Sequence, residues 1–277
     1  MTKKYIFYSL VAFILGATTA HSQILSSGEV WSAYDVLDFE NDSNNAGLSA
    51  MENSGSNSGT WNTNSAGGKF VADGAGVAVT DGDAGSWSRK IDYASPINSG
   101  KWRLELVISS YNFSNFDNMT SSSNGFFLRL EDGFNKFAEI ELRIWDEVGS
   151  DGIADSVQGR MTGGAAGEFG QKSVSMDTAN PVDNNVVYSD LAIEFDFATN
   201  VIAYYRNGAL VDSSTFTRTQ FDKLELEAGG EWAMSAADTG VLSTDLIGLY
   251  TAVPEPGSFA LLGGCLALAS VILRRRK

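Results

Sequence analysis

The sequence contains almost no cysteine or histidine and little proline. Among its 277 residues there are one Cys, one His and four Pro. His21 lies close to the N-terminus and Cys265 close to the C-terminus, so the region between them has neither residue. That region can form no disulfide, and it can use neither Ser-His-Asp or Cys-His catalysis nor His-ligated zinc. Its chemistry must rely on carboxylates, hydroxyls, amides and aromatic rings.

Positive charge is also scarce. The formal net charge is −15, and several of the cations lie at the two ends of the chain, so the middle is more acidic still. An acidic surface repels the phosphates of nucleic acid and anionic lipid. We therefore expect no nucleic-acid partner.

Residues 1–22 have the three parts of a secretory signal peptide. Lys3 and Lys4 precede the apolar run Tyr5–Ala17, and the small-residue segment Thr18–Ser22 follows it. The apolar run is short for a membrane-spanning helix, and cleavage after Ala20 or Ser22 fits this pattern. The alternative is an uncleaved membrane anchor.

The C-terminal residues 253–277 form a second targeting segment. Pro254, Glu255 and Pro256 precede the uncharged run 258–273, which the basic cluster Arg274, Arg275, Arg276 and Lys277 follows. As a helix, the uncharged run would be about 24 Å long, which is close to a bilayer core of roughly 30 Å. The sequence predicts a transmembrane helix over 258–273 with the basic cluster in the cytoplasm.

This order of Pro-Glu-Pro, apolar helix and arginine-rich end resembles the PEP-CTERM sorting signal of Gram-negative bacteria. The resemblance implies recognition and cleavage near Pro254–Pro256 by an exosortase-type membrane enzyme. It also implies transient anchoring in the inner membrane and delivery to the cell surface or extracellular matrix. The alternative is an ordinary tail anchor with a chance Pro-Glu-Pro.

Residues 23–252 repeatedly alternate apolar and polar side chains, as half-buried strands do. The clearest runs are Trp102–Ser109, Ala138–Ile144 and Leu191–Phe197, and no long helical period occurs. Further predicted strands are Val36–Glu40, Lys69–Thr80, Ser86–Tyr93, Phe126–Glu131, Gln171–Asp177, Asn200–Arg206, Ala209–Thr217, Phe221–Ala228, Glu231–Ala237 and Asp245–Ala252. The pattern predicts one all-β domain built as a two-sheet antiparallel sandwich or jelly roll.

Asn207-Gly208 between two alternating runs predicts a two-residue type I′ hairpin. Together with the strands Leu191–Phe197, Phe221–Ala228 and Asp245–Ala252, this hairpin resembles the concanavalin-A-like superfamily, and laminin-G-like jelly rolls in particular. The resemblance implies two curved antiparallel sheets, often with a glycan-binding face and sometimes with a calcium ion.

Glycoside hydrolases of that superfamily place acids on one strand face in a Glu-x-Asp-x-x-Glu pattern. Glu139-Ile140-Glu141 and Glu194-Phe195-Asp196 begin this pattern, but Ile144 and Thr199 stand where the last acid should be. We therefore interpret these acids as solvent-exposed carboxylates on amphipathic strands, and we predict that the domain is not an enzyme.

Two sets of side chains are candidates for binding. Trp61, Trp87 and Trp145 are candidate glycan contacts because an aromatic ring packs on the apolar face of a sugar, whereas Trp102 fits the core face of its strand. Acidic loops offer oxygen ligands at short spacing, which suits calcium. The candidate calcium ligands are Asp42 with Asn44, Asp81 with Asp83, and Glu147 with Asp151 and Asp155.

These features together predict an exported, non-catalytic protein of the cell surface or matrix that binds or organises polysaccharide. Two alternatives remain open from the sequence. One is a carboxylate-only glycan hydrolase or lyase, and the other is a purely structural adhesive protein.

Overall fold

The computed structural model describes residues 29–37, 55–57, 62–63, 69–72, 77–80, 87–112, 124–133, 135–145, 156–163, 172–175, 188–229 and 241–253. All regular elements in these ranges are strands. They are β1 (Trp31–Leu37), β2 (Asn62–Thr63), β3 (Lys69–Ala72), β4 (Val77–Thr80), β5 (Trp87–Ile97), β6 (Lys101–Asn112), β7 (Asn124–Asp132), β8 (Asn135–Trp145), β9 (Ser156–Gly163), β10 (Lys172–Ser175), β11 (Tyr188–Asp196), β12 (Val201–Arg206), β13 (Ala209–Thr215), β14 (Phe221–Gly229) and β15 (Val241–Ala252).

The strands form two antiparallel sheets, which confirms the predicted all-β sandwich. Sheet A has the order β13-β12-β11-β6-β15-β4-β3, with β1 also paired to β15. Sheet B has the order β10-β9-β8-β7-β14-β5-β2. Neighbours in these orders are often distant in the chain, so most of the pairing is non-local.

The core lies between the two sheets and is filled by the apolar half of each alternating run. Leu104, Leu106 and Ile108 of β6 are fully buried, and Ile140 and Leu142 of β8 face them from sheet B. Trp102 belongs to the same core, as predicted, and its indole Nε1 donates to the carbonyl of Ser99 at 2.7 Å. Because side chains alternate along a strand, the polar half of each run lies on an outward face.

Aromatic rings fill one end of this core. Phe137 enters it at a bulge, where β8 has one residue more than β7. Its ring centroid lies 4.8 Å from Phe195 and 5.7 Å from Phe221, in the edge and tilted arrangements that aromatic pairs prefer. The bulge thus places in the core a side chain that strict alternation would have turned outward.

The predicted hairpin is present. Asn207 and Gly208 have φ values of 50° and 74°, and Arg206 pairs with Ala209 across the two-residue turn. Both central residues need a left-handed backbone, and Asn and Gly are the residues that adopt it most readily.

Several details differ from the sequence prediction. Strand β2, which pairs with β5, was not predicted, and the predicted strand Glu231–Ala237 lies outside the described residues. The single predicted strand Lys69–Thr80 is a hairpin of β3 and β4, in which Lys69 pairs with Thr80. Strand β9 was not predicted, because Gly159 and Gly163 interrupt its apolar alternation. In the structure, β9 is defined by its antiparallel pairing with β8.

A buried carboxylate joins β1 to sheet B. Asp35 lies at a bulge of β1 and accepts hydrogen bonds from Asn57 Nδ2 and from the Tyr93 hydroxyl, both at 2.9 Å. Burial and this carboxylate raise the pKa of Tyr93 well above its usual value, so the hydroxyl keeps its proton. Gly55 lies so close to β1 that a Cβ there would overlap the carbonyl oxygen of Tyr34.

The predicted targeting segments lie outside the described residues. This applies to the signal peptide 1–22, to Pro254, Glu255 and Pro256, to the helix 258–273 and to the cluster Arg274, Arg275, Arg276 and Lys277. None of the described segments is an apolar helix of membrane-spanning length.

Candidate functional site

The two acid pairs noted in the sequence lie on opposite sheets. Glu139 and Glu141 are on the outward face of sheet B, while Glu194 and Asp196 are on the outward face of sheet A. The prediction that these carboxylates are solvent-exposed is wrong for Glu139, Glu141 and Glu194, of which only 4%, 2% and 3% is exposed. Long side chains from adjacent strands surround them, and a lone strand pattern does not show those neighbours.

On sheet A the outward face is organised around Arg103, which is 0% exposed. Its Nη1 donates to Glu194 at 2.9 Å, and its Nη2 donates to Asp190 at 2.9 Å and to Glu105 at 3.1 Å. The carboxylates around this guanidinium outnumber it. A buried cluster of this kind is satisfied only while the central cation is present.

The pKa of Glu105 is raised in this cluster. This pKa is raised to about 7, because burial outweighs the opposing effect of Arg103 and the neighbouring Asp190 adds to the rise. The carboxyl of Glu105 therefore holds a proton in mildly acidic solution and can donate a hydrogen bond within the cluster. Protonation relieves part of the repulsion between the acids.

Beside this cluster, sheet A has a groove of about 250 Å³. The groove runs over β11 and β12 and reaches the start of β6. Its lining residues combine carboxylate, ammonium, hydroxyl, aromatic and apolar groups, and they are Lys101, Glu194, Phe195, Asp196, Thr199, Val201, Ala203 and Tyr205. Pockets for drug-sized ligands measure about 300–1,000 Å³, so this groove suits a group of roughly the size of one sugar ring.

The polar groups of the groove differ in how many hydrogen bonds and ion pairs they form within the protein. Lys101 Nζ donates to Glu29 at 2.6 Å, and Glu194 is held by Arg103 and by the Tyr205 hydroxyl. Burial raises the pKa of Tyr205 to about 12, so it remains a donor. Asp196 Oδ1 accepts only the main-chain N–H of Ala198, at 2.8 Å, and Asp196 forms no ion pair with any described residue.

Sheet B has a different outward face, on which charges of opposite sign alternate across the strands. Arg129 is paired with Glu139 and Glu227 on the flanking strands. Arg160 lies 3.3 Å from Glu141, and Lys223 Nζ lies 2.9 Å from Glu131. These acids are therefore held by cations, which leaves them poorly suited to attack a sugar carbon as nucleophiles.

Among the acids of sheet B, Glu225 has a carboxyl group with a raised pKa. It sits across from Arg129 and Lys90 in the register of β14 with its neighbours. Its pKa is raised to about 7, mainly by burial and also by the hydrogen-bonded neighbour Glu131. A carboxyl that keeps its proton near neutrality is the kind of group that general-acid catalysis requires.

The structure leaves most of the sequence-predicted binding residues untested. Trp87 begins β5 and Trp145 ends β8, and their side chains lie outside the described part of the structure. Trp61 and all seven calcium candidates lie outside the described residues: Asp42, Asn44, Asp81, Asp83, Glu147, Asp151 and Asp155. Within the described part of the chain, no cluster of acidic, His or Cys side chains could hold a metal ion.

Sequence reasoning missed the groove and the Arg103 cluster. The alternation of β6 placed Arg103 and Glu105 on the polar face, but it could not show that the facing strand is β11 with Asp190 and Glu194. The pair Tyr204-Tyr205 carried a weak signal, because consecutive strand residues point to opposite faces. Tyr204 is in the core, whereas Tyr205 lines the groove.

The fold and this geometry place the protein in the class of antiparallel jelly-roll sandwiches, and comparison with known proteins adds a second element. The family model for the PEP-CTERM protein-sorting motif matches residues 252–277. The match begins at the last residue of β15, so the motif directly follows the folded domain. The motif implies export, transient anchoring in a membrane and processing by an exosortase. No protein of curated function matches the chain.

Solved structures resemble the fold. Botulinum neurotoxin type C, whose cell entry depends on two ganglioside molecules, matches with a TM-score of 0.51 and 8% identity over 85% of this chain and 51% of the toxin chain. The Bacillus licheniformis β-glucanase matches at 0.43 and 14%, over 80% and 99% of the two chains. The carbohydrate recognition domain of Emp46p matches at 0.45 and 13%, over 70% and 89%. At these identities the likeness concerns the fold alone, an antiparallel jelly-roll sandwich.

Proposed function

We propose that the protein is a non-catalytic surface or matrix module that binds polysaccharide through the groove on sheet A. The observation that carries this proposal is the lining of the groove. Tyr205 offers an aromatic wall, Val201 and Ala203 offer apolar floor, and Asp196 and Thr199 offer groups that hydrogen-bond hydroxyls. A sugar ring has both an apolar face and a rim of hydroxyls, so it needs both kinds of contact.

The sorting motif supports this assignment by giving the context in which the groove would act. A protein that is exported and then processed at its C-terminal segment meets the cell envelope and its extracellular polymers. In that setting a groove that holds one sugar unit would meet many equivalent units along one polymer. Calcium, the ligand expected from the acidic segments of the sequence, remains part of the proposal.

The test is retention of the full-length chain, purified in detergent, on a panel of immobilised polysaccharides with calcium and then with a chelator. We expect retention on at least one polymer, and loss of retention in Ala203→Phe, since the larger side chain fills the groove. The matched control is Ala209→Phe, which makes the same change at an exposed position of β13 outside the lining. Retention of the Ala203→Phe variant at the level of the control would remove the groove from the proposal.

A carboxylate-only hydrolase is the second candidate, and the raised pKa of Glu225 is the observation that favours it. Glu139 lies two strands away across Arg129, as a partner carboxylate would, although the cations Arg129 and Lys136 hold it. This candidate predicts release of reducing ends from a polymer and loss of that release in Glu225→Gln. Retention on a polymer without any release would leave the binding module as the function.

A further inference from the structure

We propose that the groove on sheet A selects a positively charged, amino-bearing sugar unit, with the ammonium group at Asp196. This inference rests on the proposed function and specifies the ligand class of the same groove. The groove provides the binding site, and the polar groups in it that are not already paired determine which ligand it binds.

The first step is that only one carboxylate of the groove is uncompensated. Glu194 is held by Arg103 at 2.9 Å, and the ammonium of Lys101 is held by Glu29 at 2.6 Å. Asp196 has a single hydrogen bond, from a main-chain N–H, and forms no ion pair among the described residues, because Lys101 on the facing strand is paired with Glu29. A ligand cation at Asp196 would therefore complete a pairing without displacing another.

The second step is the field around the groove. The carboxylates Glu105 and Asp190 lie in the cluster next to the groove, and Arg103 is their shared cation. The whole chain has a net charge of −15. Such a field concentrates cations and repels uronate or sulfated polymers, so an acidic glycan is a poor ligand here.

The third step is the shape of the lining around Asp196. Asp196 pairs with Val201 on one side and with Lys101 on the other, and Glu194 pairs with Ala203 in the next row. Val201 is 40% exposed and Thr199 is exposed, so the groove opens to solvent on an apolar floor beside the carboxylate. An amino sugar lying on this floor would present its amine to Asp196 and its hydroxyls to Thr199.

The experiment compares two probes of equal length on the full-length chain. One is a β-1,4-linked glucosamine oligomer, and the other is its N-acetylated counterpart. We expect the glucosamine oligomer to bind at least about tenfold more tightly, which is the effect of one charge-assisted hydrogen bond. The preference should shrink when the pH is raised past the pKa of the sugar amine, and also when salt is added.

Matched variants locate the effect. Asp196→Asn removes the charge while its amide oxygen still accepts the Ala198 N–H, and we expect the tenfold preference to disappear. Asp222→Asn is the control, because Asp222 also accepts a single main-chain N–H, from Gly133 at 3.0 Å, and lies outside the groove. Equal losses in the two variants would assign the preference to diffuse charge and overturn the inference.

The other outcomes separate this inference from the function beneath it. If both oligomers bind equally, the cation preference is wrong and the glycan-binding proposal stands. If neither oligomer nor any polymer of the panel binds, the proposed function itself fails. If an oligolysine of similar charge binds the groove more tightly than the glucosamine oligomer, the site is one for a basic peptide and not for a sugar.

Discussion

The two outward faces of the sandwich use the same residue types in different arrangements. On sheet B, Arg129, Arg160 and Lys223 each have carboxylates on adjacent strands, so opposite charges alternate. On sheet A, the carboxylates gather around one cation, Arg103, and continue into the groove. The comparison shows that the position of the cations, rather than the number of acids, decides which carboxylates on each face are paired.

The largest difference between the faces should appear when Arg103 is removed. In Arg103→Met, the acids Glu105, Asp190 and Glu194 lose their shared cation, and we expect a loss of about 3–5 kcal/mol in the free energy of unfolding. Denaturant titration measures this loss. The control is Lys136→Met on sheet B, where the Lys136 side chain is 51% exposed and a loss below about 1 kcal/mol is expected. Equal losses would show that Arg103 does not organise its face.

The substitution Arg129→Met should have an intermediate effect. It removes a cation from Glu139 and Glu227, but Glu139 keeps its contact with Lys136 at 2.8 Å. We therefore expect a loss of about 1–3 kcal/mol, measured in the same titration. A loss as large as that of Arg103→Met would mean that the remaining cations of sheet B do not compensate its acids once Arg129 is removed.

The pH dependence of stability should have the same direction on the two faces. The pKa of Glu105 is raised from 4.5 to about 7 in the folded protein, so the unfolded chain loses this proton first as the pH rises. The stability that this group contributes is therefore present below about pH 4.5, declines as the pH rises towards 7, and changes no further above that. Glu225 on sheet B should act in the same direction, because its pKa is raised to about 7 as well.

Neutral isosteres test this prediction. Glu105→Gln and Glu225→Gln should each remove a similar part of the decline between pH 4.5 and 7, since both pKa values are raised from 4.5 to about 7. Unfolding free energies at several pH values give both slopes. A larger change in Glu225→Gln would place the stronger repulsion between acids on sheet B.

The smallest effect concerns the β12–β13 hairpin beside the groove. Gly208→Ala forces an L side chain into φ 74°, and nothing lies within 4 Å of the added Cβ, so the cost is conformational. We expect a loss of about 1 kcal/mol with glycan binding unchanged. Ala209→Ser at the next position is the control and should change neither quantity. Loss of binding in Gly208→Ala would show that the hairpin helps to hold the groove open.

Much of the fold follows from local patterns. The alternation of β6, β8 and β11 predicted which side chains enter the core, and Asn207-Gly208 predicted the turn between β12 and β13. Strand β9 and the hairpin of β3 and β4 were harder to predict, because glycines and small residues weaken the pattern there. The Pro-Glu-Pro segment, which matches the sorting motif, was also predictable from the sequence, because the motif consists of consecutive residues.

The sequence by itself determined the absence of His and Cys chemistry in the middle of the chain, the alternating strands, the acidic charge and the sorting segment. Only the tertiary structure decided that Glu194 is buried against Arg103 and that Asp196 faces a groove. The physical reason is that strand pairing in this sandwich is non-local. Arg103 and Glu194 are 91 residues apart in the chain but adjacent across β6 and β11. A strand pattern shows which face a charge lies on, whereas the neighbouring strands decide whether that charge finds a partner.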